Sequence, residues 1–499
     1  MYYTSVYRSG TIVMNIIHQF LKSIFFAPVL SVLLLWLSLP YMSAGFFVWI
    51  ALVPLFLFVN LSSTTRKKVF VGALFAGTLY GIAVLYPLAS LNAWWWIDTN
   101  SFFWVHKDSL LKVFLVLLAA FGGGLFFALF FTAYKQFSTS RMRDVFIFPI
   151  LWALMEWARE FFVLGFTWGH LGYALHNEVY ILQVAKFAGI YGLGFLVVFA
   201  NMLFYFIFTD KRRRIAAAFV IVAVIFCVSL YGYVVVHAGV LDRQTELRVA
   251  VINQNLKTEE SVGINGYTAY LELIDEALTG NPDVIVVPEN AFPFFVIRHD
   301  TRLPLQYDNP DYVIKEWFDG LALLSQEHPD VSLVIGMHTD DDGTRYNSLV
   351  VMEDGLVEGV YNKQVLLPLA EESSESGKET HIEPLGKGVG AQEVSVGGRP
   401  ITPLICSEVI FPRLASLSDS IFIVNISNDS VFNAPLAAKQ NHSIAKLRAV
   451  ENGKYLLRSV KGGISSIINP FGQTMVESGL GERGVLYAVV RVPSIKNNQ

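Results

Sequence analysis

Three reactive side chains stand at the ends of apolar, β-like runs in the second half of the chain. Glu289 follows Val284-Ile285-Val286-Val287-Pro288, Lys363 follows Val360-Tyr361-Asn362, and Cys406 follows Leu404-Ile405. A nucleophile held at a strand end on a sharp turn lifts its reactive atom above the sheet edge. A thiol with a pKa of about 8.5 is mostly protonated at neutral pH, so it needs a base within hydrogen-bond reach. A carboxylate shielded by apolar walls can carry a raised pKa and take that proton. A nearby ammonium stabilises both the thiolate and the oxyanion of a tetrahedral intermediate, where losing one donor costs about 3 kcal/mol. Taken singly, each residue also reads as a strand-end charge or a small core cysteine; it is the set that matches a nucleophilic mechanism. The second cysteine, Cys227, lies far upstream in an apolar segment, so Cys406 is expected to be a free thiol.

The elements that must position these residues follow from periodicity. Strands are expected over Leu247–Gln254, Asp283–Val287 and Val331–His338, with helices over Gly266–Leu278 and Val313–Leu324. Ser348–Met352 and Leu356–Tyr361 flank Glu353-Asp354-Gly355 and read as a hairpin. Further strands are expected at Ile421–Ile426, Leu456–Arg458, Ile464–Ile468 and Leu486–Val492, and a helix over Gln440–Asn452. Glu371–Lys387 is rich in Ser, Glu and Gly and reads as a loop, a candidate lid. Strands with interleaved helices predict a layered α/β domain over residues 241–499. His338 and His381 lack zinc-site spacing, and no metal or organic cofactor is expected.

Residues 1–240 have another character. The chain of 499 residues is 54% hydrophobic and 16% charged, with mean hydropathy +0.47, values that average two unlike halves. Apolar runs near 24–41, 43–60, 69–91, 110–133, 145–164, 181–208 and 215–238 predict about seven membrane spans of roughly 20 residues each. Arg66-Lys67-Lys68, the cluster Lys135, Arg141 and Arg143, and Lys211-Arg212-Arg213-Arg214 fall on one side, as do Arg8 and Lys22. The positive-inside rule then puts the N-terminus in the cytoplasm and everything after residue 240 outside it. Trp94-Trp95-Trp96, Phe102-Phe103-Trp104 and Phe166-Thr167-Trp168 read as an interfacial aromatic belt or a platform at the membrane surface. Glu156 and Arg159 are expected to pair within a span, and Gly122-Gly123-Gly124 to allow close helix packing. A net charge of −4 without a basic, aromatic-interleaved stripe gives no reason to invoke nucleic acid.

The order Glu289, Lys363, Cys406, in the contexts PEN, YNKQVLLP and ICSEVIFP, resembles the Glu-Lys-Cys triad of the carbon–nitrogen hydrolase (nitrilase) superfamily. The membrane half is similar to the apolipoprotein N-acyltransferase family within it, through WALMEWAREFF, LGFTWGHLGYAL and LQVAKFAGIYGLGFLVVFANMLF. YNSLVVME, SNDSVFN and KLRAVENGKYLLRSVKGGISSIINPFG extend the resemblance. It implies an α-helical membrane bundle joined to an α-β-β-α sandwich. It also implies Cys406 as nucleophile, Glu289 as general base and Lys363 as oxyanion stabiliser. Glu371 and Glu408 match supporting glutamates. Ser407 stands where the family usually has Tyr, Val431 where it has Trp, and Val460-Lys461 where it has Thr-Asn. The implied reaction moves an acyl chain from a phospholipid, through a Cys406 thioester, to the α-amino group of an apolipoprotein's lipidated N-terminal cysteine. The implied location is the bacterial cytoplasmic membrane, with the catalytic domain on the periplasmic side. A membrane-tethered amidase or hydrolase, or a silent lipid- or peptide-binding protein, are the alternatives.

Overall fold

The computed structural model describes residues 25–90, 102–139, 142–161, 168–238, 244–255, 264–298, 312–341, 343–367, 371, 385–390, 392–417, 419–432 and 435–494. Trp94-Trp95-Trp96, Phe166-Thr167, Arg8, Lys22, Arg141, His381 and most of the Glu371–Lys387 loop lie outside them, as do the side chains of Phe102-Phe103-Trp104. The chain divides into two compact units, one of apolar helices up to Val234 and one from Val235 onward.

The first unit contains α1 (Phe26–Leu37), α2 (Val53–Asn60), α3 (Arg66–Leu85), α4 (Phe102–Phe137), α5 (Asp144–Arg159), α6 (Val179–Leu182), α7 (Ala185–Thr209) and α8 (Arg214–His237). Among the described residues, four stretches are long and apolar enough to cross a membrane: Arg66–Ser90, Lys112–Phe137, Ala185–Thr209 and Arg214–His237. Within the expected runs at 24–41 and 43–60 lie the short helices α1 and α2, separated by 3-10 turns at Pro40–Met42 and Gly45–Trp49. Hydropathy does not register that break, because the interrupting residues are themselves apolar. Pro40 opens the first turn, and a Cβ on Gly45 would lie 2.1 Å from the Ala174 carbonyl oxygen. The run at 145–164 is likewise shorter as a helix, 16 residues with Pro149 inside.

Buried polar groups tie this unit together. Asn201 accepts from the Leu52 N–H at 2.7 Å and donates to the Val48 carbonyl at 2.8 Å, fixing the non-helical link before α2. Glu156 and Arg159, expected to pair, each reach instead to the backbone of one turn. Glu156 accepts from Leu171 N–H and Arg159 donates to the Trp168 carbonyl, both at 3.1 Å. Of the three-glycine run, only Gly124 meets close neighbours, Thr78 and Leu74 of α3.

The second unit is a four-layer sandwich. Its first sheet orders β13 (Gly484–Pro493), β1 (Gln244–Asn253), β2 (Val284–Val286), β4 (Ser332–Asp341), β5 (Thr344–Glu353) and β6 (Leu356–Asn362). β3 (Phe292–Arg298) pairs with β4. The second sheet runs β12 (Thr474–Glu477), β11 (Ser466–Ile468), β10 (Tyr455–Lys461), β9 (Phe422–Asn428), β8 (Arg399–Ile405) and β7 (Val394–Val396). Alternation along each strand creates the layers. Val249 and Val251 of β1 enter the core between the sheets with Val424, Ile426 and Leu457. Ala250 and Ile252 point the other way, onto α9 (Ile264–Thr279) and its residues Tyr270 and Ile274. Leu321 of α10 (Tyr312–Glu327) joins that outer layer, and α11 (Pro435–Asn452) packs on the second sheet. The expected hairpin is present as the antiparallel pair β5–β6. Strands β3, β7 and β12 were not expected from the sequence.

Candidate active site

Three strand ends deliver the three reactive residues. Parallel β2 ends at Val286, and the chain turns through Pro288 so that Glu289 is 3% exposed. Asn290 then takes φ 50°. The turn lies against Gly336 of β4, where a Cβ would be 2.4 Å from the Pro288 carbonyl oxygen and 2.5 Å from the Glu289 Cα. Only glycine allows that approach. Lys363 leaves β6 with its N–H donating to the Asn347 carbonyl at 2.9 Å, and its side chain is fully buried. Cys406 opens a 3-10 turn, Cys406–Ile410, directly after β8, and has φ 53°. A left-handed cysteine costs roughly 1–3 kcal/mol and persists only where its surroundings hold it.

What holds it is Glu408, which is completely buried. Its Oε2 accepts from the Ile405 N–H at 2.9 Å and from the Tyr361 hydroxyl at 3.0 Å. Its Oε1 accepts from the N–H groups of Gln364 at 2.6 Å and Val365 at 3.1 Å. One carboxylate thus ties the Cys406 turn to the segment carrying Lys363. Burial pushes Glu408 up to about 7, against the pull of these N–H donors and Lys363.

The charged groups converge. Lys363 Nζ lies 3.8 Å from Glu289 Oε1 and 2.8 Å from Glu371. Asn347 Nδ2 donates to both carboxylates, at 2.7 Å to Glu289 and 3.0 Å to Glu371. The Asn428 N–H, at the end of β9, donates to Glu289 Oε2 at 2.7 Å, and the Leu367 N–H donates to Glu371 at 2.8 Å. Burial raises the Glu289 pKa above the ordinary carboxylate range; Lys363 opposes this and Glu371 adds to it. Burial works against the Lys363 ammonium, but Glu371, then Cys406 and Glu289, outweigh it and hold the lysine charged. Burial, with Glu289 adding to it, pushes the Cys406 thiol up. A thiol, a buried carboxyl group and an ammonium thus face one another electrostatically, an arrangement suited to base-assisted nucleophilic attack.

Every candidate from the sequence except Ser407 enters this bonded network or faces it electrostatically. Ser407 is half-buried, and its hydroxyl oxygen has no hydrogen-bond partner. Both cysteines are free thiols. Among the described residues no cluster of three or more His, Cys, Asp or Glu side chains could hold a metal ion. Sequence reasoning missed Asn347, Asn428 and Tyr361 as members of the network. The available signal was position: Asn347 and Tyr361 lie on paired strands, and Asn428 ends a strand as Glu289 follows one.

Residues 31–203 match the apolipoprotein N-acyltransferase N-terminal domain, and residues 248–497 match the carbon–nitrogen hydrolase family. The apolipoprotein N-acyltransferase of Geobacter metallireducens is 28% identical over 93% of this chain and 88% of its own length. That of Bradyrhizobium diazoefficiens is 28% identical over 92% and 90%. Among solved structures, Saccharomyces cerevisiae Nit3, a member of branch 10 of the nitrilase superfamily, is 19% identical with a TM-score of 0.39, covering 49% of this chain and 89% of its own. The apolar helices and the bacterial relatives support a multi-pass bacterial membrane protein. The chain belongs to the carbon–nitrogen hydrolase family, among its membrane-fused acyltransferases, the apolipoprotein N-acyltransferases.

Proposed function

We propose that this chain moves a fatty acyl group from a phospholipid to the α-amino group of a lipidated N-terminal cysteine on an apolipoprotein, in two steps through Cys406. In the first step Glu289 takes the thiol proton, and the Cys406 sulfur attacks the ester carbonyl. The charge that develops on the carbonyl oxygen is stabilised by Lys363. Glu289 returns the proton to the departing oxygen, releasing a lysophospholipid and leaving a thioester. In the second step the amine attacks the thioester carbonyl, Glu289 accepts the amine's proton, and the sulfur leaves as a thiol once that proton is passed on. Glu371 holds Lys363 in place, and Glu408 fixes the turn that carries the nucleophile. A thioester suits transfer because amines attack it readily.

The observation that carries the reading is the convergence of Glu289 and Glu371 on the buried Lys363 ammonium, with Cys406 in electrostatic range on a left-handed turn. Two lipidated substrates also account for a soluble catalytic fold joined to apolar helices, since each buried acyl CH₂ contributes about 0.8 kcal/mol of membrane affinity. The distribution of basic residues supports a catalytic unit on the periplasmic face of the cytoplasmic membrane. The test is incubation of purified full-length protein with phospholipid and a synthetic diacylated lipopeptide. N-acylated peptide with stoichiometric lysophospholipid is expected. Free fatty acid without acylated peptide would make the protein a hydrolase, and no turnover of either substrate would make it a silent binder.

A further inference from the structure

Lys461 ends β10 and is 3% exposed. Its Cα is paired with Asn428, the residue whose N–H holds Glu289 Oε2. On its other side it bridges to Gln254, whose carbonyl accepts from the Gly462 N–H at 2.8 Å. The backbone of the lysine thus lies beside the residue that holds Oε2 of the base, whereas Lys363 and Asn347 serve Oε1.

Charge balance gives this placement a purpose. Glu289 and Glu371 share the single ammonium of Lys363, which leaves that buried group at −1. A buried uncompensated charge is strongly destabilising. Among the described residues, two other acidic groups near the site have partners of their own. Asp429 is bonded to Arg458 at 3.0 Å, and Glu408 is held by three backbone N–H groups and Tyr361. Cys406 is neutral at rest. Burial lowers the Lys461 pKa to about 8 and Glu289 opposes the fall, so the lysine and the base lie within electrostatic range of each other.

We propose that Lys461 is a positioning residue for the acyl transfer, a second buried cation that balances the Glu289–Lys363–Glu371 cluster and keeps Glu289 ionised to accept the Cys406 proton. The inference rests on the Glu289–Cys406 reading above and adds a residue to it. Its test reads that proton transfer without either lipid substrate. Iodoacetamide alkylation of Cys406, in which an S–C bond forms as iodide leaves, is followed against pH by peptide mass spectrometry on the full-length protein in detergent. Removing a unit positive charge near Glu289 should raise the acidic limb of that profile by about one pH unit in Lys461→Met. Lys461→Arg should retain the wild-type limb. The double variant Glu371→Gln/Lys461→Met, which restores charge balance, should return the limb toward wild type.

A folded Lys461→Met protein with an unmoved limb would overturn the proposal. So would a double variant that does not fold, because charge balance would then not be what the lysine supplies. If wild-type Cys406 takes no label at any pH, the base–nucleophile reading itself fails, an outcome separate from either of these.

Discussion

At the scale of single residues, the proposed mechanism has a protonated thiol meeting a base whose own pKa is raised. Glu289→Gln keeps the shape but cannot accept a proton, and we expect transfer to fall by roughly 10²–10⁴-fold, measured as acylated lipopeptide per unit time. Lys363→Met removes the oxyanion cation and should cost roughly 10²–10³-fold in kcat, with additional loss of stability because two carboxylates lose their shared partner. Because Glu289 acts as the carboxylate, activity should fall as pH drops through a value above the ordinary carboxylate range, a limb that a pH–kcat/KM profile would locate. These three residues were legible in the sequence because each ends an apolar run. Asn347 and Asn428 were not, since an amide gains meaning only when strand pairing brings it to a carboxylate.

At the scale of elements, the turns after β2, β6 and β8 carry the chemistry, and the groups that shape them matter as much as the reactive atoms. Gly336→Ala would force the Pro288–Glu289 turn away from β4. A displacement near 1 Å is worth about 100-fold in rate, so kcat should fall by that order while the protein stays folded by circular dichroism. Glu408 binds its proton more tightly in the folded protein than in the unfolded chain, where an ordinary carboxyl titrates near 4.5. Its favourable contribution is therefore complete below that value and is lost as pH rises toward and through about 7. Thermal unfolding midpoints of Glu408→Gln should accordingly vary less between pH 5 and 7.5 than those of the wild type, by roughly the linkage of one shifted carboxyl. The strand alternation that builds the sandwich was readable. β7 and β12 were not, being three or four residues long at sheet edges where side-chain periodicity is too short to register.

At the scale of the whole molecule, two compact units of different solvent preference share one chain. Hydropathy located the apolar half but not the helix breaks before Asn60, because 3-10 turns built from Phe, Val and Trp are as apolar as helix. A cytoplasmic polybasic side and a periplasmic sandwich should differ in their access to reagents outside the cell. In intact spheroplasts a membrane-impermeant maleimide should label Glu482→Cys, on an exposed turn of the sandwich, and leave Lys211→Cys, between α7 and α8, unlabelled until the membrane is opened. Labelling in the reverse order would place the catalytic unit in the cytoplasm.

If Cys406 carries the acyl group between two lipidated substrates, intact-protein mass spectrometry after exposure to phospholipid alone should catch the acylated enzyme. We predict one added acyl mass, mapped to the Cys406 peptide, absent from Cys406→Ala and discharged when an amine-bearing lipopeptide is supplied. Lysophospholipid release from the wild type with no adduct, or an adduct that survives in Cys406→Ala, would contradict it.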